Sequence, residues 1–213
     1  DVINHSPDYQ EQFLDNSTAR IKISYFPWEL TKFKSDWVYY LNRKSDLYLC
    51  PSKFIKRVAI ESGVNNVALL PLAVTEGIDT NVEPIKFSDK KYHFLAIGQM
   101  GDPRKNVKFL IKAFLHTFTG DDDIALVIKC NPGFKHSDPT DIGEWESLGL
   151  KNPPRIVIIH NEVGTDNLSK MYKSCDCLIH VACAEGWGQP VLEAMKFGMP
   201  VIAPMYGGYV DFA

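Results

Sequence analysis

The 213-residue sequence contains no run of about 18 or more apolar residues, so it offers no helix that would span a membrane. No charged-then-apolar leader pattern is read at its start. Charge of neither sign dominates: 23 Lys and Arg against 26 Asp and Glu leave a formal net charge of −3, which removes the electrostatic case for nucleic acid. No internal repeat is visible. Cysteines are few and do not pair by spacing. Five of them, Cys50, Cys130, Cys175, Cys177 and Cys183, suggest free thiols in a reducing compartment. Cys175-x-Cys177 lacks the second pair that would complete a metal site, and reads instead as a helix end followed by a strand start. The expected location is the cytoplasm, with peripheral membrane contact left open. What is present is a globular composition, 45% apolar and 23% charged.

The most informative stretch is AEGWGQPVLEAMKFGMPVIA, from Ala184 to Ala203. It predicts loop, helix, turn and strand. Pro190 suits a first helical turn, where its missing N–H is not needed. Val191, Ala194, Met195 and Gly198 fall at helical spacing and predict one stripe packed on a sheet. Gly198 supplies the helix stop, and Val201–Ala203 the strand.

Gly186 and Gly188 would let the backbone approach a ligand closely. Free N–H groups and the positive dipole end around Gly188, Gln189, Pro190 and Val191 form an anion site. Glu193, in the first turn and off the apolar stripe, suits a vicinal diol, because a carboxylate accepts two hydrogen bonds. Glu185 ends the preceding loop as a second acceptor. Carboxylates on either side of a phosphate site fit a ligand with phosphate in its middle and hydroxyls at both ends, as in a nucleotide sugar.

Glu185 and Glu193 stand as E-x7-E in EGWGQPVLEAMKFGMPVIA, which is similar to the EGFGLPxLEAMAxGxPVIA signature of retaining glycosyltransferases of the GT-B fold, family 4 and its relatives. The resemblance implies an α/β fold: parallel sheets with helices on both faces, in two Rossmann-like domains. Here the first would be partial. The chain opens at Asp1 with DVINHS and closes at GGYVDFA, and a fragment of a longer protein, cut at both ends, is the expectation.

Strand and helix signals alternate throughout, which predicts parallel sheets covered by helices. A strand end at Val2–Ile3 and a helix over Pro7–Asn16 open the chain. Ile21, Ile23 and Tyr25 alternate and predict a strand at Arg20–Phe26. A helix over Ser35–Arg43, a strand at Leu47–Cys50, a helix capped by Ser52 and stopped by Gly63, and a strand at Val67–Leu70 follow. YLCPSKFIKRVAIESGV resembles the last strand and helix of the acceptor-side GT-B domain. This places an N-terminal acceptor-side domain at 1–71, a linker at 72–91 and a C-terminal donor-binding domain at 92–213. Where the family carries a His near the donor sugar, the sequence has Phe26-Pro27-Trp28-Glu29. Trp28 and Glu29 are acceptor-side candidates, with His5 a third; the competing reading of Trp28 and Trp37 is as core aromatics.

Tyr92–Ile97 predicts a strand, and Val107, Leu110, Ile111, Phe114, Leu115 and Phe118 predict a helix. Between them lies a basic, Gly-containing loop, where phosphates bind in α/β units. GQMGDPRKNVKFLIKAF is similar to the family's GRxxxxKGxxxLLxAF segment. The family Lys maps onto Lys105, which would offset charge on a departing diphosphate. The family Arg is replaced by Gln99, beside Gly98, and Arg104 is the cation available to compensate. Asp121-Asp122-Asp123 precedes a strand at Ile124–Cys130 and reads as a solvated turn. Lys129, at the C-terminal end of that strand, is a candidate for phosphate or sugar contact. A short helix around Glu144–Leu148, a strand at Ile156–Ile159, a helical stripe of Leu168, Met171, Tyr172 and Cys175, and a strand at Leu178–Val181 complete the pattern. His180 in that last strand reads as a half-buried, hydrogen-bonded side chain.

By this resemblance the chain would transfer a sugar from a nucleotide-diphosphate-sugar donor to a glycan, lipid or protein acceptor, with retained configuration. Glu193 would hold the ribose, and Glu185 the sugar hydroxyls. Trp187 lies between them in the same loop. No metal and no cofactor are expected, the nucleotide-diphosphate sugar being a co-substrate. A nucleotide-sugar epimerase or a phosphorylase shares the fold plan, and a non-catalytic nucleotide-sugar-binding module is the alternative from another class.

Overall fold

The computed structural model describes residues 16–99, 101–130 and 149–213. The elements expected at Val2–Ile3, Pro7–Asn16 and Glu144–Leu148, together with His5, lie outside the described residues, save for Asn16. The chain folds as two compact units. One comprises 1–73, 184–188 and 205–213; the other comprises 74–183 and 189–204.

In the first unit, β1 (Ile23–Tyr25), α1 (Ser35–Lys44), β2 (Leu47–Cys50), α2 (Lys53–Glu61) and β3 (Val67–Leu69) alternate. The strands form a parallel sheet in the order β1-β2-β3. Ser52 caps α2 by accepting the Ile55 N–H at 3.2 Å, and Gly63 leaves the helix at a φ of +99°. The core is aromatic: Phe26, Trp28, Phe33, Trp37, Tyr40 and Tyr48 pack together. Trp28 and Phe33 stack with centroids 4.2 Å apart, and the Tyr48 hydroxyl donates to the Phe26 carbonyl at 2.9 Å.

The strand at β1 is shorter than the expected Arg20–Phe26. Ile21, Ile23 and Tyr25 are exposed, while Ser24 and Phe26 point inward. Residues two apart share a strand face. The large ring of Phe26 gains more by joining the aromatic core than Ile23 would, and it turns Ser24 inward with it.

The second unit begins with 74–91, which has no helix or strand but is bonded along its length to later elements. Its Asp79 N–H donates to Ser169 Oγ at 3.0 Å, and its Ile85 N–H to Ser174 Oγ at 2.7 Å. Then come β4 (Tyr92–Ile97), a 3₁₀ turn (Pro103–Lys105), α3 (Val107–Thr117), β5 (Ile124–Lys129), β6 (Arg155–Ile159), α4 (Thr165–Ser174), β7 (Cys177–Ile179), α5 (Gln189–Lys196) and β8 (Val201–Ile202). All five strands are parallel, in the order β6-β5-β4-β7-β8.

The apolar stripe of α3 is buried through Val107, Leu110, Ile111, Phe114 and Leu115 against Leu126 and Ile128 of β5. Each such side chain contributes roughly 1.5–3 kcal/mol of burial. On α5 the stripe differs from expectation. Met195 is exposed, and Glu193 is buried beside Val191 and Ala194. Burial of a carboxylate is tolerated only with donors at hand, and Glu193 has two, described below. Gly198 ends the helix at a φ of +67°. Among the described residues no helix is long and apolar enough to cross a membrane.

Candidate functional site

Strand order in the second unit decides where its loops gather. From β4 the chain moves outward through β5 and β6, then returns to the other side of β4 with β7 and β8. The direction of winding therefore reverses between β4 and β7. In open parallel sheets, ligands bind at the carboxyl ends of the strands flanking such a reversal. The Gly98–Asn106 loop leaves β4 at this place, and the loop after β7 runs beside it: the Cys183 N–H donates to the Arg104 carbonyl at 2.8 Å.

The loop after β4 is built from its own residues. Asp102 accepts the Arg104 N–H at 2.9 Å and pairs with the Arg104 guanidinium at 3.1 Å. This organises the 3₁₀ turn over Pro103–Lys105. Asn106 then adopts a left-handed φ of 56° and hands the chain to α3. Gly98 donates its N–H to the Lys129 carbonyl at 3.0 Å, and a Cβ at Gly98 would stand 3.3 Å from that of Lys105. Gly98, Lys105 and Lys129 are thus brought together. Lys129 is nearly fully buried; its ammonium donates to the Cys130 carbonyl at 3.2 Å. Burial lowers its pKa, opposed by Cys130 and Glu162. The Gln99 side-chain oxygen is buried with no partner among the described residues.

Glu193 is the fifth residue of α5, one turn past the helix start and not in the first turn as expected, because the helix begins at Gln189; 3% of its surface is exposed. Its Oε2 accepts the Tyr172 hydroxyl at 2.7 Å, and its Oε1 accepts the Thr75 hydroxyl. Thr75 in turn accepts the Gln189 amide at 3.0 Å. Burial, then the Glu193 charge, hold the Tyr172 hydroxyl well above the ordinary tyrosine range, so it remains a donor. Neither Thr75 nor Tyr172 stands out in the sequence as a site residue. Thr75 lies in a stretch without periodicity, and Tyr172 reads as part of an apolar stripe.

The loop 185–188 belongs to the first unit and is buried throughout. Space that a Cβ would need at Gly186 is occupied by the Trp28 carbonyl at 2.6 Å, and at Gly188 by the Tyr209 ring at 2.9 Å. Glycine at these two positions therefore serves packing within the protein. Gly188 also holds a φ of +92°. The Gly208 N–H donates to the Glu185 carbonyl at 2.9 Å. Burial and the Glu185 charge push the Tyr209 hydroxyl up to about 12. Trp187 packs on Phe212 with centroids 4.7 Å apart, and its indole N–H has no partner among the described residues.

Of the acceptor-side candidates, Trp28 is a core residue with one ring face covered by Phe33, and Glu29 is half-buried. His180 is fully buried rather than half-buried, and it follows β7 instead of lying within it. Asp121–Asp123 forms an exposed turn before β5, with Asp123 paired to Lys91 at 3.1 Å. Among the described residues no three His, Cys, Asp or Glu side chains are grouped to hold a metal.

No curated protein sequence matches the chain. Solved structures do match its fold. Anabaena HepE in complex with UDP-glucose aligns with a TM-score of 0.68 at 18% identity, over 91% of this chain and 56% of that one. WaaG, a glycosyltransferase involved in lipopolysaccharide biosynthesis, aligns at 0.67 and 16%, over 96% and 65%. The lipopolysaccharide outer core galactosyltransferase WaaB aligns at 0.64 and 22%, over 99% and 57%. The chain thus spans 56–65% of the length of these proteins. At these identities the likeness concerns the fold, which is α/β of the GT-B type. The profile described as Glycosyl transferases group 1 matches residues 77–213, well over half of the sequence, and the chain belongs to that family.

Proposed function

We propose that the chain contributes the donor-binding machinery of a glycosyltransferase that moves a sugar from a nucleotide-diphosphate sugar to an acceptor, with retention and without a metal. The observation that carries this reading is Glu193: a buried carboxylate of α5, held by Tyr172 and Thr75, at the second glutamate of E-x7-E. UDP-glucose bound to Anabaena HepE supports a nucleotide-diphosphate sugar as donor.

In this reading the pyrophosphate lies at the start of α5, near Gly188, Gln189, Pro190 and Val191, where backbone N–H groups and the helix dipole favour negative charge. Lys105, beside Gly98, offsets the charge that develops on the leaving diphosphate. Lys129 and Gln99 add polar contacts from the same strand ends, and Glu193 takes the ribose hydroxyls. Glu185 takes the sugar hydroxyls, with Gly186 and Trp187 in its loop, as the E-x7-E resemblance implies. Lys105 and the backbone dipoles supply the positive charge that a metal would otherwise bring. The acceptor is a glycan, lipid or protein.

One observation favours the alternative of a non-catalytic nucleotide-sugar-binding module. The family's clamp Arg is Gln99 here, and Arg104, the cation placed to compensate, is paired to Asp102 at 3.1 Å. Turnover separates the two. With full-length protein, a panel of nucleoside diphosphates is screened by thermal shift, and sugar forms of the best binder are assayed for release of the diphosphate. Transfer or slow hydrolysis of the sugar supports the enzyme; binding with no release supports the module. Lys105→Ala is expected to lower turnover about 100-fold while changing donor affinity little. An equal loss in affinity alone would contradict its role in the leaving-group step.

A further inference from the structure

We propose that Thr75 and Tyr172 are positioning residues that set the orientation of the Glu193 carboxylate for a ribose diol. The inference rests on the assignment of Glu193 to the ribose made above and extends it to two residues outside the signature. Both belong to the same compact unit as Glu193. Tyr172 comes from α4 and Thr75 from the irregular stretch before β4.

The geometry is specific. Each carboxylate oxygen has two acceptor positions. Tyr172 uses one on Oε2 and Thr75 uses one on Oε1. One acceptor position on each oxygen is left, and a carboxylate with one left on each oxygen can accept both hydroxyls of a vicinal diol. With a donor fixed on each oxygen, the carboxylate cannot rotate about its last bond without losing both hydrogen bonds, so the diol meets a preset acceptor pair.

The two donors are themselves held. The Tyr172 ring is 1% exposed and stacks on Phe197 with centroids 5.4 Å apart, so its hydroxyl cannot swing away. The Thr75 hydroxyl has one proton, and acceptance of the Gln189 amide at 3.0 Å leaves that proton for Glu193. Gln189 thereby links the entry of α5 to the carboxylate four residues on: amide to hydroxyl, hydroxyl to carboxylate.

The test is the discrimination between ribose and deoxyribose, which a purely structural role would not alter. Full-length protein is titrated by calorimetry with UDP, GDP and ADP and with their 2′-deoxy counterparts, and the tightest pair is kept. Wild type is expected to favour the ribonucleotide by about 10-fold, the worth of a charged hydrogen bond. Tyr172→Phe and Thr75→Val are expected to shrink that ratio several-fold, and Thr75→Ser to restore it. Should Tyr172→Phe fail to fold, the Thr75→Val and Thr75→Ser pair decides. Variants that lose thermal stability yet keep the wild-type ratio would overturn the positioning role and leave Glu193's assignment standing. A wild type with no ribose preference, matched by Glu193→Gln, would overturn the assignment itself and this inference with it.

Discussion

Glu185 and Glu193 belong to one short signature, but the protein holds them in opposite ways. Glu185 is secured through its backbone: its carbonyl accepts the Gly208 N–H at 2.9 Å, and a Cβ on Gly207 would stand 2.7 Å from that carbonyl. Glu193 is secured through its side chain, by hydroxyls from Thr75 and Tyr172. The proposed function gives them different tasks: the sugar hydroxyls for Glu185 and the ribose hydroxyls for Glu193. A loop packed backbone to backbone fixes where Glu185 begins, and its charge raises the Tyr209 hydroxyl. A carboxylate with both oxygens bonded is fixed at its tip.

The sharpest way to break this comparison is to neutralise each glutamate in full-length protein. Glu185→Gln is expected to lower kcat by about 100- to 1,000-fold with nucleoside diphosphate affinity kept, as for a group acting on developing charge. Glu193→Ala is expected to weaken donor binding by about 1–3 kcal/mol, seen by calorimetry. If the two effects exchange places, the division of tasks is wrong.

A second contrast concerns the glycines. At Gly208 a Cβ would fall 1.9 Å from the Gly186 carbonyl, with backbone on both sides and nothing free to yield. Gly208→Ala should cost about 3 kcal/mol of stability by overpacking. At Gly198 a Cβ meets nothing within 4 Å, and only the φ of +67° opposes a side chain. Gly198→Ala should cost about 1 kcal/mol. Denaturant melts of the two variants check the order; equal losses would remove the backbone anchor from the account of Glu185.

The smallest effect is alkaline. Tyr209 has a native pKa of about 12 against an ordinary 10.0, raised by burial and then by Glu185. A raised pKa means that the native state prefers the protonated hydroxyl. Its stabilising contribution is therefore complete below pH 10 and fades as pH climbs toward about 12. Glu185→Gln removes the repulsive charge, so the Tyr209 step should move to lower pH in an ultraviolet titration. An unmoved step would show that the two groups do not interact.

Much of this architecture was legible in the sequence. The α3 stripe, the Ser52 cap and the Gly63 and Gly198 stops are local features, set by spacing and by backbone freedom, and they form where local chemistry places them. The E-x7-E stretch was legible because several constrained residue types recur at fixed offsets. What escaped is nonlocal. Thr75 meets Glu193 across 118 positions and Tyr172 across 21, and no periodicity encodes either contact. The same contacts explain why Glu193, rather than Met195, took a buried position on α5. Alternation alone does not say which face of β1 is covered; Phe26, at the strand's end, decides it. The reversal of winding between β4 and β7, which gathers the loops, is a property of strand order and needs the fold to be seen.

The most direct test is a structure of the full-length protein with a nucleoside diphosphate bound. The account predicts the pyrophosphate on the N–H groups at the start of α5 and near Lys105, with the two ribose hydroxyls on Glu193 while Tyr172 and Thr75 keep their hydrogen bonds. A nucleotide seated elsewhere, or one whose ribose leaves Glu193 untouched, would contradict it.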